Sequence, residues 1–288
     1  MASTCAAQDP VTPISRCAPG VHESEAHGTV AFPQDTIHCP LLADPKEPRS
    51  FVSVLSGKFR TLDDPSGPRT RIVSVGIGDS FGLVRWNGAR AGDGVQLDVA
   101  AGVFAQFDFG APSKDLINAD YTIGFPLTFR THGFSTRVRI YHQSSHLGDE
   151  FLLRDAAIQR ANLSFESIEL LMSQEIHALR IYAGAERLFR REPDTVGATV
   201  AHAGAEVRSG HRGPVQAVAA LDIKTTQLHD WSPAFSGRAG LEFVRRGASG
   251  HPARLVTLMF EIYDGPSPYG QFFQDDISYV GMGVHLSL

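Results

Sequence analysis

His142 and Ser144 stand two residues apart in the stretch Phe134 to Glu150, which reads FSTRVRIYHQSSHLGDE. A serine hydroxyl attacks an ester when a base removes its proton, and histidine is that base when a third polar group fixes its ring. Residues two apart on a strand lie roughly 6.5 to 7 Å apart along the chain, close enough for their side chains to approach each other. Asn162, where the chain re-enters the next strand, is the candidate third group. Asp149 and Glu150, in the intervening loop, could hold a hard cation such as calcium to stabilise an oxyanion. The competing reading is that His142, Ser144, Ser145 and His146 only satisfy one another where strand meets loop.

Periodicity decides where the pair points. Phe134, Val138 and Ile140 alternate with Ser135, Arg137 and Arg139, the two-residue period of a strand with one apolar and one charged face. Counted in that phase, His142 and Ser144 fall on the apolar side. The pattern recurs along the chain. Val95, Leu97, Val99, Ala101, Val103, Ala105, Phe107 and Phe109 oppose Gln96, Asp98, Gln106 and Asp108; Tyr121, Ile123, Phe125, Leu127 and Phe129 oppose Asp120, Thr122, Thr128 and Arg130. Further strands are expected over Phe51 to Arg60, Arg71 to Trp86, Phe165 to Gln174, Ala178 to Arg187 and Ala198 to Arg208. Pro214 to Thr226, Phe235 to Arg245, Ala253 to Tyr263 and Ser278 to Leu288 complete the set. In Arg71 to Trp86 the apolar phase carries Val73, Val75, Ile77, Phe81 and Leu83.

The expected fold is all-β, an antiparallel transmembrane up-and-down barrel of about twelve strands over residues 51–288, preceded by a leader and periplasmic lead-in over 1–50. Short turns near Asn87, Thr131, Glu175, Ser209 and Arg246 alternate with longer loops, such as DDPSGPR at Asp63 to Arg69 and a stretch from about Ser145 to Leu163. That asymmetry is the outer-membrane arrangement, and an even strand count puts both ends of the barrel on the periplasmic side. No amphipathic helix covers the apolar faces, which in water would form a large exposed patch. A soluble sandwich or barrel is the alternative.

The 288 residues carry a net charge of -5 and a pI near 6.2, with no helix-turn-helix, zinc-finger or RNA-binding signature, so nucleic acid is dropped as a partner. No apolar run is long enough for a transmembrane helix, and a mean hydropathy of -0.10 suits a soluble protein and a membrane barrel equally. Cys5, Cys17 and Cys39 all precede the patterned region, so none is expected to staple or line the main domain, and no zinc spacing appears. Met1 to about Thr29 lacks the apolar core of a secretory signal, so either the true start lies upstream or this is a disordered leader; LLADPKEPR, Leu41 to Arg49, reads as an ordered lead-in or plug. The polar phase holds both signs, including Asp98, Asp120, Arg137, Arg139, Arg180, Glu186, Glu206, Lys224, Arg238 and Glu242. It predicts an ion-paired, plugged interior, with a narrow conducting pore as the alternative.

LLADPKEPR, DLINADY (Asp115 to Tyr121), YHQSSHLGDEF (Tyr141 to Phe151) and GQFF (Gly270 to Phe273) resemble the bacterial domain-of-unknown-function family 1207, predicted to form outer-membrane barrels, over about Pro33 to Leu288. Separately, HisGlnSer at 142–144 is similar to the His-Gln-Ser-Asn-Gly segment of the outer-membrane phospholipase A family, twelve-stranded barrels with catalytic His and Ser on the lipid-facing surface and an Asn on the next strand. Lipid A deacylase barrels use a similar His-x-Ser. This resemblance implies that His142 is the base, Ser144 the nucleophile and Asn162 the orienting group, with calcium as cofactor and outer-membrane lipid as substrate. Here Ser145 and His146 replace the Asn-Gly, and the phospholipase's calcium loop has no counterpart. The last strand resembles the C-terminal insertion signal read by the barrel-assembly machinery, ending in Leu288 where an aromatic is usual. The expected function is a lipid-ester hydrolase; the alternative is a porin-like channel or structural surface barrel without catalysis.

Overall fold

A strand whose two faces differ in polarity needs two environments, and in the computed structural model the chain supplies them by closing its sheet. The structure describes residues 28–33, 36–59, 70–90, 92–154, 162–209, 215–246 and 252–287. The strands are β1 (Gly28–Ala31), β2 (Ser50–Phe59), β3 (Thr70–Asn87), β4 (Gly94–Asp108), β5 (Leu116–Thr131), β6 (Phe134–Leu147) and β7 (Leu163–Ile176). They continue as β8 (Leu179–Glu192), β9 (Thr199–Arg208), β10 (Val215–Thr226), β11 (Pro233–Arg246), β12 (Pro252–Pro266) and β13 (Asp276–Ser287), and one short helix, α1 (Asp149–Arg154), follows β6. Each of β2 to β13 pairs antiparallel with its chain neighbours, and β13 pairs back onto β2, with Gly281 opposite Leu55, so twelve strands close into a barrel. Closure gives each of the twelve barrel strands two partners, which is what a sheet in hydrocarbon requires.

β2 pairs with only the first part of the longer β3, and β1 lies along the part left over, Gly28 opposite Asn87. Where β5 turns into β6, His132 and Gly133 both take positive φ, 51° and 82°, a two-residue turn whose second position suits a residue without Cβ. Thr131 is therefore a strand residue opposite Phe134. The leader as far as His27, the loop Asp63 to Arg69, most of the SerGlyHisArgGly turn, Cys5, Cys17 and Leu288 lie outside the described residues.

The alternation read from the sequence holds through the wall. On β5, Leu127 is 46% exposed while its neighbour Thr128 is 1% exposed. Ile123, Phe125, Phe129, Ile140, Leu170, Leu241, Leu258 and Val284 add to an outward apolar belt. β3 departs from strict parity: a register shift between Gly82 and Val84 leaves Leu83 as the extra residue, so Val84 continues the outer row beside Leu97 and Arg85 turns in, buried against Gln96. The bulge keeps Trp86 outside, where simple counting from Val73 would have turned it inward.

The interior is filled. Residues 37–49 run through the lumen, with Leu41, Leu42, Ala43, Asp44 and Glu47 buried. Arg137 grips both oxygens of Glu47 at 2.6 and 3.1 Å and reaches Glu169, which Arg139 also holds at 2.6 Å. Lys224 binds both oxygens of Asp44 at 2.9 Å, Arg238 joins Glu261 to the Leu42 carbonyl, and Glu206 accepts from the Leu42 amide at 2.7 Å. Charges in a confined interior are tolerable only when paired and hydrogen-bonded, and the lead-in segment completes those pairs. Contrary to the expectation from cysteine positions, Cys39 belongs to this interior: it is buried, disulfide-bonded, and its carbonyl accepts from Arg180. The position count missed this because the segment folds back into a barrel that follows it in sequence.

Two outcomes are expected. Leu127→Arg, facing outward, should destabilise the barrel by about 2 to 4 kcal/mol if the residue lies at the bilayer midplane, read by urea unfolding in lipid vesicles. Glu47→Ala strips Arg137 of one carboxylate and should cost about 3 kcal/mol in the same assay.

Candidate functional site

Outward parity on β6 carries Phe134, Thr136, Val138, Ile140, His142, Ser144 and His146, so the histidine and serine share the face of the apolar belt. Both side chains are half-buried by their neighbours. Antiparallel register places Ile123 of β5 and Glu166 of β7 on either side of His142, and Tyr121 and Ser164 on either side of Ser144. His142 Nδ1 lies 3.4 Å from Glu166 Oε1, with the two side chains 41% and 30% exposed. That contact is made through Nδ1, so a proton-transfer role would fall to Nε2. Among the described residues no hydrogen bond joins the His142 ring to the Ser144 hydroxyl.

Glu166 is the neighbour of His142 that reading the sequence did not name. It was legible in principle, because Glu166 is in phase with Ile168, Leu170 and Met172 on an apolar face, where an acid is as out of place as His142. Asn162 instead precedes β7 by one residue and is exposed. It sits four residues from Glu166, about 13 Å along the chain at the strand rise, so β7 does not bring it to the imidazole. The Asn162 assignment depended on where β7 starts; the pairing of His142 with Glu166 sets that register.

β6 runs to Leu147, further than the loop boundary at Ser145 read from the sequence, and Asp149 and Glu150 open α1, exposed on its first turn. A hard cation takes six to eight oxygen ligands. Among the described residues no group of three His, Cys, Asp or Glu side chains converges, so Asp149 and Glu150 do not by themselves amount to a calcium site. What α1 does have is an anchor: Phe151 is buried against Phe272, and Arg154 reaches Asp115 at 2.5 Å and Asp108 at 2.7 Å. The Arg154 guanidinium holds the Asp115 carboxyl below the usual carboxylate range. A lowered folded-state value stabilises above the ordinary value of 3.8 and is lost as pH falls through the lowered one. Protease protection of α1 should therefore persist at pH 5, weaken only well below pH 4, and be lost at neutral pH in Arg154→Ala.

The barrel is similar to the outer membrane phospholipase A from Escherichia coli, with 14% identity and a TM-score of 0.57 over 84% of this chain and 94% of that one. It is also similar to the Salmonella typhi outer membrane phospholipase, crystallised as a dimer with bound calcium, with 14% identity and a TM-score of 0.53 over 85% and 94%. At this identity the likeness is one of fold. No curated protein matches the sequence. A family model covers residues 2–288, nearly the whole chain, including the segments that carry the resemblance noted above, and the chain belongs to that family, described as protein of unknown function (DUF1207).

Proposed function

We propose that this protein is an outer-membrane lipid-ester hydrolase in which Ser144 is the nucleophile, His142 the general base and Glu166 the group that orients His142. The observation that carries the reading is the 3.4 Å contact of Glu166 with His142 Nδ1 on the apolar outer face, one strand step from Ser144. A carboxylate at Nδ1 fixes the tautomer in which Nε2 accepts a proton and stabilises the imidazolium that forms. Ser144 Oγ attacks the ester carbonyl carbon as His142 takes its proton. The alcohol then leaves with that proton, and water, activated by the same imidazole, releases the fatty acid from the acyl-serine. Arg190 follows Glu166 in the register row and is exposed, positioned for the phosphate of a phospholipid or lipid A.

Location in the outer membrane is supported by the apolar belt, the closed barrel and the likeness of fold. Insertion by the barrel-assembly machinery through β13 belongs to the same proposal. No step is assigned to calcium here: among the described residues no three His, Cys, Asp or Glu side chains converge at Asp149 and Glu150. A porin-like role is disfavoured by the ion-paired lead-in that occupies the lumen.

Purified protein in detergent should release fatty acid from phospholipid or lipid A. Ser144→Ala should remove the activity, Glu166→Ala should reduce it about 10³- to 10⁴-fold, and Asn162→Ala should leave it within about twofold. Equal release by wild type and Ser144→Ala would end the hydrolase reading.

A further inference from the structure

Away from the outer face, the barrel holds a cavity of about 180 Å³ inside its long-loop end, bounded by the connections after β8, β10 and β12. One wall is the apolar cluster of Leu163, Phe165, Leu188 and Val196, with Phe273 packed against it. The floor is made by polar side chains of the wall and of the lead-in segment. An apolar cavity of roughly 150 Å³ accommodates a benzene ring, so this one has room for a ring with a short substituent and little more.

The charges around it are nearly balanced. Lys224 is held by both oxygens of Asp44 at 2.9 Å, and Lys46 by Asp120. Asp222 is bound by His202 and, at 2.6 Å, by the Tyr182 hydroxyl. His229 donates to the Phe273 carbonyl at 2.7 Å. The exception is Glu186: among the described residues its hydrogen-bond partner is the Tyr141 hydroxyl, which donates to Oε1, no lysine, arginine or histidine lies within ion-pair distance of it, and Lys224, already held by Asp44, acts on it only at longer range. A carboxylate facing a largely apolar space and hydrogen-bonded to a single neutral donor keeps unused acceptor capacity, and a ligand cation at contact distance would interact with it more closely than Lys224 does.

We propose that this cavity is a binding site for a small amphipathic amine, its aryl or short alkyl body against Leu163, Phe165 and Leu188 and its ammonium group on the Glu186 carboxylate. The excess negative charge excludes carboxylates of the same shape, so the site discriminates by sign as well as by size. It is separate from the His142 and Ser144 face, which looks outward, and does not depend on the hydrolase reading.

The test uses phenethylamine, with phenylacetate and 2-phenylethanol as anionic and neutral counterparts, measured by titration calorimetry on the full chain in non-ionic detergent. Phenethylamine should bind saturably in the roughly millimolar range expected of nine heavy atoms, and phenylacetate should not bind. Glu186→Gln, which keeps an acceptor for Tyr141, should weaken the amine about tenfold and leave 2-phenylethanol unchanged. Leu188→Trp, which fills the cavity, should abolish both. Absence of amine binding by the wild type, equal binding of phenylacetate, or amine binding that neither substitution alters would overturn the proposal.

Discussion

Closure of the sheet is the constraint from which the other features follow. With β13 paired to β2, the backbone groups of the wall are satisfied between strands, and the pleat then sorts side chains with a strict period of two. One set must suit an apolar exterior and the other a narrow interior. A slip of one residue would exchange the sets along a whole strand, so register is held by the combined burial of both. The bulge in β3 is a local exception that serves the same end, since it returns Val84 and Trp86 to the exterior and gives Arg85 its partner inside.

The interior set is charged, and charge in a confined space has to be matched. Some of it is matched across the wall, as Arg139 with Glu169 and Arg208 with Glu206. The rest is matched by the segment that precedes the barrel, whose Asp44 and Glu47 complete the coordination of Lys224 and Arg137 and whose carbonyls at Leu41 and Leu42 receive Arg49 and Arg238. Lead-in and barrel are thus a single electrostatic unit, although the segment contributes no strand to the lumen wall.

The exterior set is where polar residues are out of place. His142, Ser144 and Glu166 interrupt rows that carry Val138, Ile140, Ile168, Leu170 and Met172, and register brings them together from two strands. An acid beside an imidazole on this face offsets part of its own desolvation by pairing, and the pairing orients the ring. The same arithmetic of unmatched charge distinguishes Glu186 inside the barrel.

Much of this was legible in the sequence because alternation is a local property. The strands, their long reach, the outward direction of His142 and Ser144 and the inward direction of Arg137, Arg139, Glu206 and Arg238 all follow from counting in twos. What counting along one strand does not contain is the offset between strands. That offset is set by turn geometry and side-chain fit, such as the His132-Gly133 turn, and it decided that Glu166, and not Asn162, stands beside His142. Nor does a one-dimensional pattern say where a non-periodic segment goes: only the folded barrel shows residues 37–49 inside it and Cys39 among its buried side chains. The sequence by itself determined the faces, since the pleat makes them a matter of parity; the tertiary structure decided the neighbours, since those depend on closure and register across residues distant in the chain.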